Sequence, residues 1–386
     1  MGIPILKSSK IFVACPANVF TGGPELLHQL AYHLINDLNV ETFMYYYDFD
    51  SNKFKTPVHN EYEIYNVPYV LEMPENEDNK ANILIVSEVL TSLSLLTKYK
   101  NIRKGIWFLS LDNYYLSRLT KEDFFIPRAI NKISKIIIKK PLIDFDITSQ
   151  EVLDKLVEKY DYRKDPLLKL ANFYMVNSYR GLKWFSDLEP LYYLPDYYVN
   201  IRFIEESCKL NLNSKKNIVA YNPKKGYLFT KKIIKFANGI KFTPIENMTR
   251  EDVIDLLKEV KVYIDFGHFP GPERIPKEAA ILGCCVITGK RGCAAFYEDV
   301  PIPDDYRFED KKENIPKIIE KIKDCFENFE ERYKDFEYYR KVIKDGPQKF
   351  KEDLKKIFIK MEDESESCSN HIEIGIQGDE YGSKNK

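Results

Sequence analysis

A chain of 386 residues with 44% hydrophobic content is too long for one ordinary core and carries enough apolar mass for two domains. Its 58 basic and 59 acidic residues leave a formal net charge of −1, which excludes a global cationic field of the kind that recruits nucleic acid or an anionic membrane. Any anion site must therefore be local. The 7 cysteines, an odd number with no CxxC pair and no zinc-type Cys/His spacing, read as reduced thiols and point to a cytoplasmic setting. Residues 1–20 lead straight into a strand pattern rather than a charged leader with an apolar core, and Leu6 breaks the myristoylation pattern that Gly2 would begin. No run approaches the roughly 18–20 apolar residues of a spanning helix, so a soluble or at most peripheral protein is expected.

Residues 11–15 are a short apolar run, followed by the loop PANVFTGG and the segment PELLHQLAYHLINDL, in which Leu26, Leu27, Leu30, Ala31, Leu34 and Leu38 recur at helical spacing. Thr21, Gly22 and Gly23 stand where a helix N-terminus would face a ligand, with Pro24 at a favoured first helical position; a tight turn alone is the other reading. Strands are expected at 41–47, 82–87 and 105–109, with a Leu-rich helix over 89–99, and this alternation argues for a parallel sheet. The strand at 105–109 releases Ser110, Leu111, Asp112 and Asn113. An Asp-Asn pair there is ordinary turn chemistry, or, beside the Gly22 loop, it supplies Asp112 as a candidate base. The pattern loosens from 114 to 170, where segment 129–147 mixes isoleucines with Lys132, Lys135, Lys139 and Lys140. That segment reads as a solvated lysine face over a buried ridge, or as a peripheral contact with anionic lipid at an inner membrane face. A strand at 174–177, a helix at 178–185 and a strand at 191–194 close the first half.

Residues 198–216 form a polar connector, after which the rhythm restarts. A strand is expected at 217–221, then the loop Asn222, Pro223, Lys224, Lys225, Gly226, a helix at 227–238 and a strand at 240–243. Thr249 and Asp252 have the spacing of a capping pair that opens a helix over 250–260. Segment 261–300 then places two apolar runs around a helix that opens at Pro276, each run releasing a polar loop at its carboxyl end. Charged helical pattern over 311–344 is broken at Gly346-Pro347 before a last amphipathic helix near 350–359. Residues 362–386 are polar without periodicity and are expected to be disordered.

The loop from Asn222 to Gly226 can hold a pyrophosphate: glycine lets the backbone approach, the helix end supplies N–H donors and lysine neutralises charge. Solvated surface lysines are the alternative. Neither a GxxxxGK[ST] loop nor a GxGxxG fingerprint is present. Glu278, early in its helix, is either an ordinary N-terminal charge or an acceptor for a ribose diol, and Arg274 and Lys277 would then meet phosphates near the same helix end. His268 is a further candidate in the preceding HFPGPE loop, where Gly271 and Glu273 also stand.

These residues carry a resemblance. EAAILGCCVITGKRG resembles the EAMA-x-G-x-PVI signature of GT-B glycosyltransferases, particularly the large family-4-type group; NPKKG resembles that group's diphosphate loop and TGGPELLHQL its N-terminal glycine loop. The resemblance implies an α/β fold of two Rossmann-like domains facing across a cleft, here 1–199 and 200–345, with a C-terminal helix over 346–361 crossing back to the first. By motif position it implies that Glu278 holds the ribose of a nucleotide diphosphate sugar and Lys224 and Lys225 its diphosphate, and with the candidates read above the expected donor site is Asn222, Lys224, Lys225, Gly226, Gly271, Glu273, Arg274, Lys277 and Glu278. Thr21, Gly22, Gly23 and Asn113 would line the acceptor and phosphate side, with Asp112 and His268 as catalytic candidates. One departure is visible: where the group places a first glutamate, eight positions before Glu278, this chain has Pro270. The implied activity is cofactor-free sugar transfer to a glycan or lipid-linked acceptor, in surface polysaccharide biosynthesis, and the lack of a well-placed DxD-like motif predicts that it is metal-independent. A nucleotide-sugar epimerase and a non-catalytic nucleotide-binding scaffold of the same shape are the competing readings.

Overall fold

The computed structural model describes residues 2–120, 150–196 and 199–361. The lipid contact expected over 129–147 and the disorder expected over 362–386 fall outside them. Thirteen strands are present among the described residues: β1 (Ile3–Ile5), β2 (Lys10–Pro16), β3 (Glu41–Tyr47), β4 (Tyr69–Val70), β5 (Ile83–Ser87), β6 (Arg103–Phe108), β7 (Phe173–Val176), β8 (Leu191–Tyr193), β9 (Lys216–Tyr221), β10 (Lys241–Pro244), β11 (Val260–Asp265), β12 (Cys285–Thr288) and β13 (Phe358–Lys360).

Seven strands make one parallel sheet in the order β4-β3-β2-β5-β6-β7-β8, and four make a second in the order β10-β9-β11-β12. Both sheets are buried on two faces, which is why their strands read as continuous apolar runs. In β2, Ile11, Val13 and Cys15 belong to one cluster and Phe12 and Ala14 to another on the opposite face. The chain leaves β2 for one side of the first sheet and returns through β5 on its other side; in the second sheet it does the same about β9 and β11. The carboxyl ends of these two strand pairs are topological switch points, where helices on opposite faces diverge and leave a crevice. The Thr21–Gly23 loop lies at the first, and the loops after β9 and β11 lie at the second.

Local chemistry accounts for most element ends. Thr249 and Asp252 form a reciprocal capping box on the helix Arg250–Glu259. Ser110 accepts from Asn113 N and opens the short helix Leu111–Leu116, so Asp112 sits in a first helical turn rather than in a loop. The Leu-rich stretch after β5 makes only a short helix, Leu90–Leu93, and a 3-10 turn, Ser94–Thr97. The connector is not structureless: it contains the helix Ile201–Ser207, whose Phe203 packs into the second core. The helix after β11 begins at Arg274, two residues before Pro276.

The expected break at Gly346-Pro347 does not occur. One helix runs over Glu337–Ile357 with Pro347 inside it. An internal proline costs about 3 kcal/mol, but a stripe of Tyr339, Ile343, Gly346, Phe350, Leu354 and Ile357 is buried along that helix and outweighs it. Tyr339 and Ile343 join the core of the second sheet, whereas Phe350, Leu354 and Ile357 join Ile11, Leu27 and Leu30 of the first. Strand β13 then pairs in parallel with β1. One continuous helix thus ties the two cores together. Leu354→Ala, which empties a fully buried position on the stripe, is expected to cost about 2–5 kcal/mol. A lower denaturant midpoint with an unchanged slope would show it, and an unchanged midpoint would contradict the packing described.

Candidate functional site

The two switch points face each other and enclose a cleft of about 360 Å³. The first half contributes Thr21, Gly22, Gly23, Leu109, Ser110, Asn113, Asn177 and Asp196, and the second contributes Lys225 and the loop from Pro270 to Ile275. Tyr62 OH fixes the Thr21 backbone, donating to its carbonyl at 2.9 Å and accepting from its N–H at 3.1 Å. Gly226 is left-handed at φ 60°, and a Cβ there would overlap the Phe266 carbonyl, so the loop after β9 can lie against the loop after β11 only with glycine at this position. A Cβ on Gly271 would stand 3.0 Å from the Leu109 carbonyl oxygen, so that loop packs tightly against the end of the first sheet.

Charges meet across this cleft in matched pairs. Arg274 donates to Glu25 and, at 3.2 Å, to the Gly22 carbonyl. Within the second half, Lys225 Nζ donates to Glu273 at 2.7 Å. Lys277, expected to face phosphate, is instead 3% exposed and bonded to the Asp196 carbonyl, with the Asp196 carboxylate at 3.4 Å. Burial pulls its ammonium below the usual lysine range. It is an interdomain anchor. Lys224 is exposed and does not line the cleft; its N–H is held by Asn222 Oδ1 at 3.0 Å. Of the two loop lysines, only Lys225 faces the crevice.

Asp112 and His268 are brought together, but not as a free base and its neighbour. Arg180 grips both Asp112 oxygens at 2.8 and 2.9 Å, and His268 Nε2–H donates to the same carboxylate. Burial alone would push the Asp112 carboxyl up; the bonds from His268 and Arg180 outweigh it and hold it below the ordinary carboxylate range. A carboxylate so committed is a poor proton acceptor at neutral pH, so the reading of Asp112 as a base is corrected to an interdomain tie. His268 Nδ1 is buried without a hydrogen-bond partner among the described residues. Close by, Asp299 of the second half accepts the Tyr179 and Arg180 backbone N–H groups at 2.6 and 3.0 Å.

Glu278 behaves differently from these. It lies one turn after Arg274, half-buried, and accepts no hydrogen bond among the described residues. Burial pushes its carboxyl up to about 7, with Arg274 and Arg250 opposing the rise and Glu25 adding to it. An acid with unused lone pairs at a helix end beside two arginines is suited to accept hydroxyl donors.

Sequence reasoning missed Glu25, Asn177, Asp196 and Glu88. Asn177 donates to the Leu109 carbonyl at 2.9 Å, while its Oδ1, also buried, has no partner among the described residues. Glu88 accepts Leu109 N–H at 2.9 Å and so sets the strand end that walls the cleft. The available signal was position: Glu88, Asn177 and Asp196 follow a strand of the first sheet within three residues, and Glu25 lies in the first turn of the helix that follows β2. No cluster of three or more His, Cys, Asp or Glu residues suited to a metal occurs among the described residues. No described helix is long and apolar enough to cross a membrane.

The Glu278 environment predicts a pH signature. A carboxyl raised in the folded state favours its protonated form, so the stability it contributes is present below the unfolded value near 4.5 and is lost as pH rises through about 7. Glu278→Gln should therefore raise the melting temperature more at pH 8 than at pH 5. An equal shift at both would show that the carboxyl is not destabilised by its site.

No family model matches the sequence, and no curated protein matches it. Solved structures do. A glycosyltransferase from Rickettsia africae ESF-5 superposes with a TM-score of 0.51 at 14% identity, covering 91% of this chain and 99% of that one. Sucrose-phosphate synthase from Thermosynechococcus elongatus gives 0.50 at 11% identity, covering 90% and 96%. The N-terminal domain of trehalose-6-phosphate phosphatase from Candida albicans gives 0.52 at 10% identity, covering 92% and 97%. The fold is α/β of the GT-B type found in glycosyltransferases.

Proposed function

We propose that this chain is a glycosyltransferase that moves a sugar from a nucleotide diphosphate sugar to a glycan or lipid-linked acceptor. The observation that carries the reading is the cleft itself. Two parallel-sheet switch points oppose each other there, Lys225 and Arg274 stand at its wall, and Glu278 is left with unused acceptor capacity one turn behind. In this reading Glu278 takes the donor ribose hydroxyls, and Lys225 and Arg274 take the diphosphate, exchanging their bonds to Glu273 and Glu25 for phosphate oxygens. The N–H groups of Gly271, Glu273, Arg274 and Ile275 and of Gly226 complete the anion cradle. The acceptor hydroxyl that attacks lies on the side of Thr21–Gly23 and Asn113.

The chemical step breaks the bond between the anomeric carbon and the diphosphate oxygen, with the electron pair leaving on that oxygen, and forms a bond from the carbon to the acceptor oxygen. Lys225 and Arg274 stabilise the charge that develops on the leaving diphosphate, which allows transfer without a divalent metal. The acceptor proton passes to the departing diphosphate, because Asp112 is already committed to Arg180 and His268. Surface polysaccharide assembly on the cytoplasmic side is the setting proposed for the acceptor.

One observation favours a second reading, a nucleotide-binding scaffold without turnover: Pro270 stands where the GT-B signature has its first glutamate. Two measurements separate these. A thermal-shift screen of nucleotide diphosphate sugars should identify a donor, and product analysis with candidate acceptors should then show transfer; binding without any product supports the scaffold. Glu278→Ala should weaken uridine diphosphate or another selected nucleotide about ten- to hundredfold, the worth of hydrogen bonds to a charged group. Lys225→Ala should lower transfer about 10²-fold. Unchanged nucleotide affinity by calorimetry in Lys225→Ala/Glu278→Ala would remove the site assignment.

A further inference from the structure

A second pocket of about 530 Å³ opens between the two halves, lined by Arg180, Lys183, Trp184, Lys290, Arg291, Gly292, Ala295 and Phe296. The two pockets share one wall. Asn113 lines the first, its neighbour Asp112 is gripped by Arg180, and Arg180 lines the second. On the opposite side, a bridge between Phe269 and Gly292 joins the loop that carries Pro270 to the loop that carries Lys290 and Arg291. The second pocket thus lies next to the cleft, on the far side of the Asp112–His268 tie.

Its chemistry differs from that of the first. Among the described residues, four cationic side chains line it and no carboxylate does. Lys183 is exposed and makes no ion pair among the described residues; its Nζ lies 5.3 Å from the Tyr179 ring centroid. Lys290 reaches only Asp304, whose side chain is 75% exposed, at 3.2 Å, a pair that water and salt weaken readily. Arg291 is bonded to Asp310 and stays 36% exposed at its side chain. Among these cations stands an aromatic face, Trp184, 38% exposed and oriented by its Nε1 donating to Tyr115 OH at 3.2 Å. An exposed indole beside one ammonium group unpaired among the described residues, Lys183, and one held only by an exposed carboxylate, Lys290, suits a ring that stacks and an anion attached to it. A lone phosphate would leave the indole and most of the volume unused.

We infer that this pocket binds the acceptor through an acidic saccharide, a sugar unit bearing carboxylate or phosphate that stacks on Trp184 and pairs with Lys183 and Lys290. The inference rests on the glycosyltransferase reading for the word acceptor, but the pocket's ligand class stands on its own residues. Calorimetry on the full chain tests it with tetragalacturonate, glucose 1,6-bisphosphate, neutral maltotetraose and inorganic tripolyphosphate, with uridine diphosphate measured in parallel. Tetragalacturonate or the bisphosphate should bind and maltotetraose should not, and which of the two binds tells carboxylate from phosphate. Lys183→Glu and Lys290→Glu should each weaken that binding roughly tenfold, and Trp184→Phe should weaken it less than Trp184→Ala, with uridine diphosphate affinity unchanged in all four. Tripolyphosphate binding that is indifferent to Trp184→Ala would reduce the pocket to a phosphate site and overturn the saccharide. Failure of both acidic sugars while uridine diphosphate binds would overturn the inference and leave the donor site standing; the reverse pattern would sink the donor site and keep this pocket.

Discussion

The arrangement depends on ionic pairs buried between two sheet edges. Arg274 with Glu25 and Lys277 with Asp196 join one half of the chain to the other, as does the hydrogen bond from His268 to Asp112, and all six side chains are at least four-fifths buried. Taking such charges out of water is costly, and the cost is recovered only where geometry is good and remaining lone pairs are used. These pairs meet that condition with further bonds: Arg180 on Asp112, the Gly22 carbonyl on Arg274, the Asp196 carbonyl on Lys277. Apolar contact alone would let the halves slide; charge pairs with fixed partners set a register between them.

The same pairing shapes the chemistry available. Every cation that walls the first cleft already has a carboxylate, so an anionic ligand enters by exchange rather than by filling a vacant field. Exchange discriminates, because a ligand must offer at least as many well-placed oxygens as Glu25 and Glu273 give up. Glu278 is the exception. It is desolvated without a hydrogen bond in return, and its raised proton affinity records that imbalance. A destabilised acid beside the cleft is where hydrogen-bond donors from a ligand could add binding energy.

The long helix Glu337–Ile357 couples fold to site. Its first half belongs to the second core and its last to the first, and it packs along the helix that carries Arg274, Lys277 and Glu278. Opening of the cleft therefore acts on this helix and on the β1–β13 pairing as well as on the ion pairs. Any hinge between the halves has to include both.

The sequence by itself determined the two α/β halves, the strand positions and the loops that become the cleft walls, because apolar runs buried on both faces and Gly/Pro punctuation are local signals. It also marked Gly226, Lys225, Arg274 and Glu278 by their place at strand-to-helix junctions. It could not tell Lys225 from Lys224, or Lys277 from Arg274, since which lysine faces a crevice depends on a helix phase and a partner from the other half. The break read at Gly346-Pro347 followed from local propensity, and burial of one stripe against two cores overrode it. Asp112 carried the signal of a base, and only tertiary structure supplied Arg180 and His268, 68 and 156 residues away in sequence, to neutralise it. Segment 261–300 was legible as two strands around a helix with a polar loop at each carboxyl end; what faces it, and which of its charges are paired, were decided by the long-range pairing of the other half.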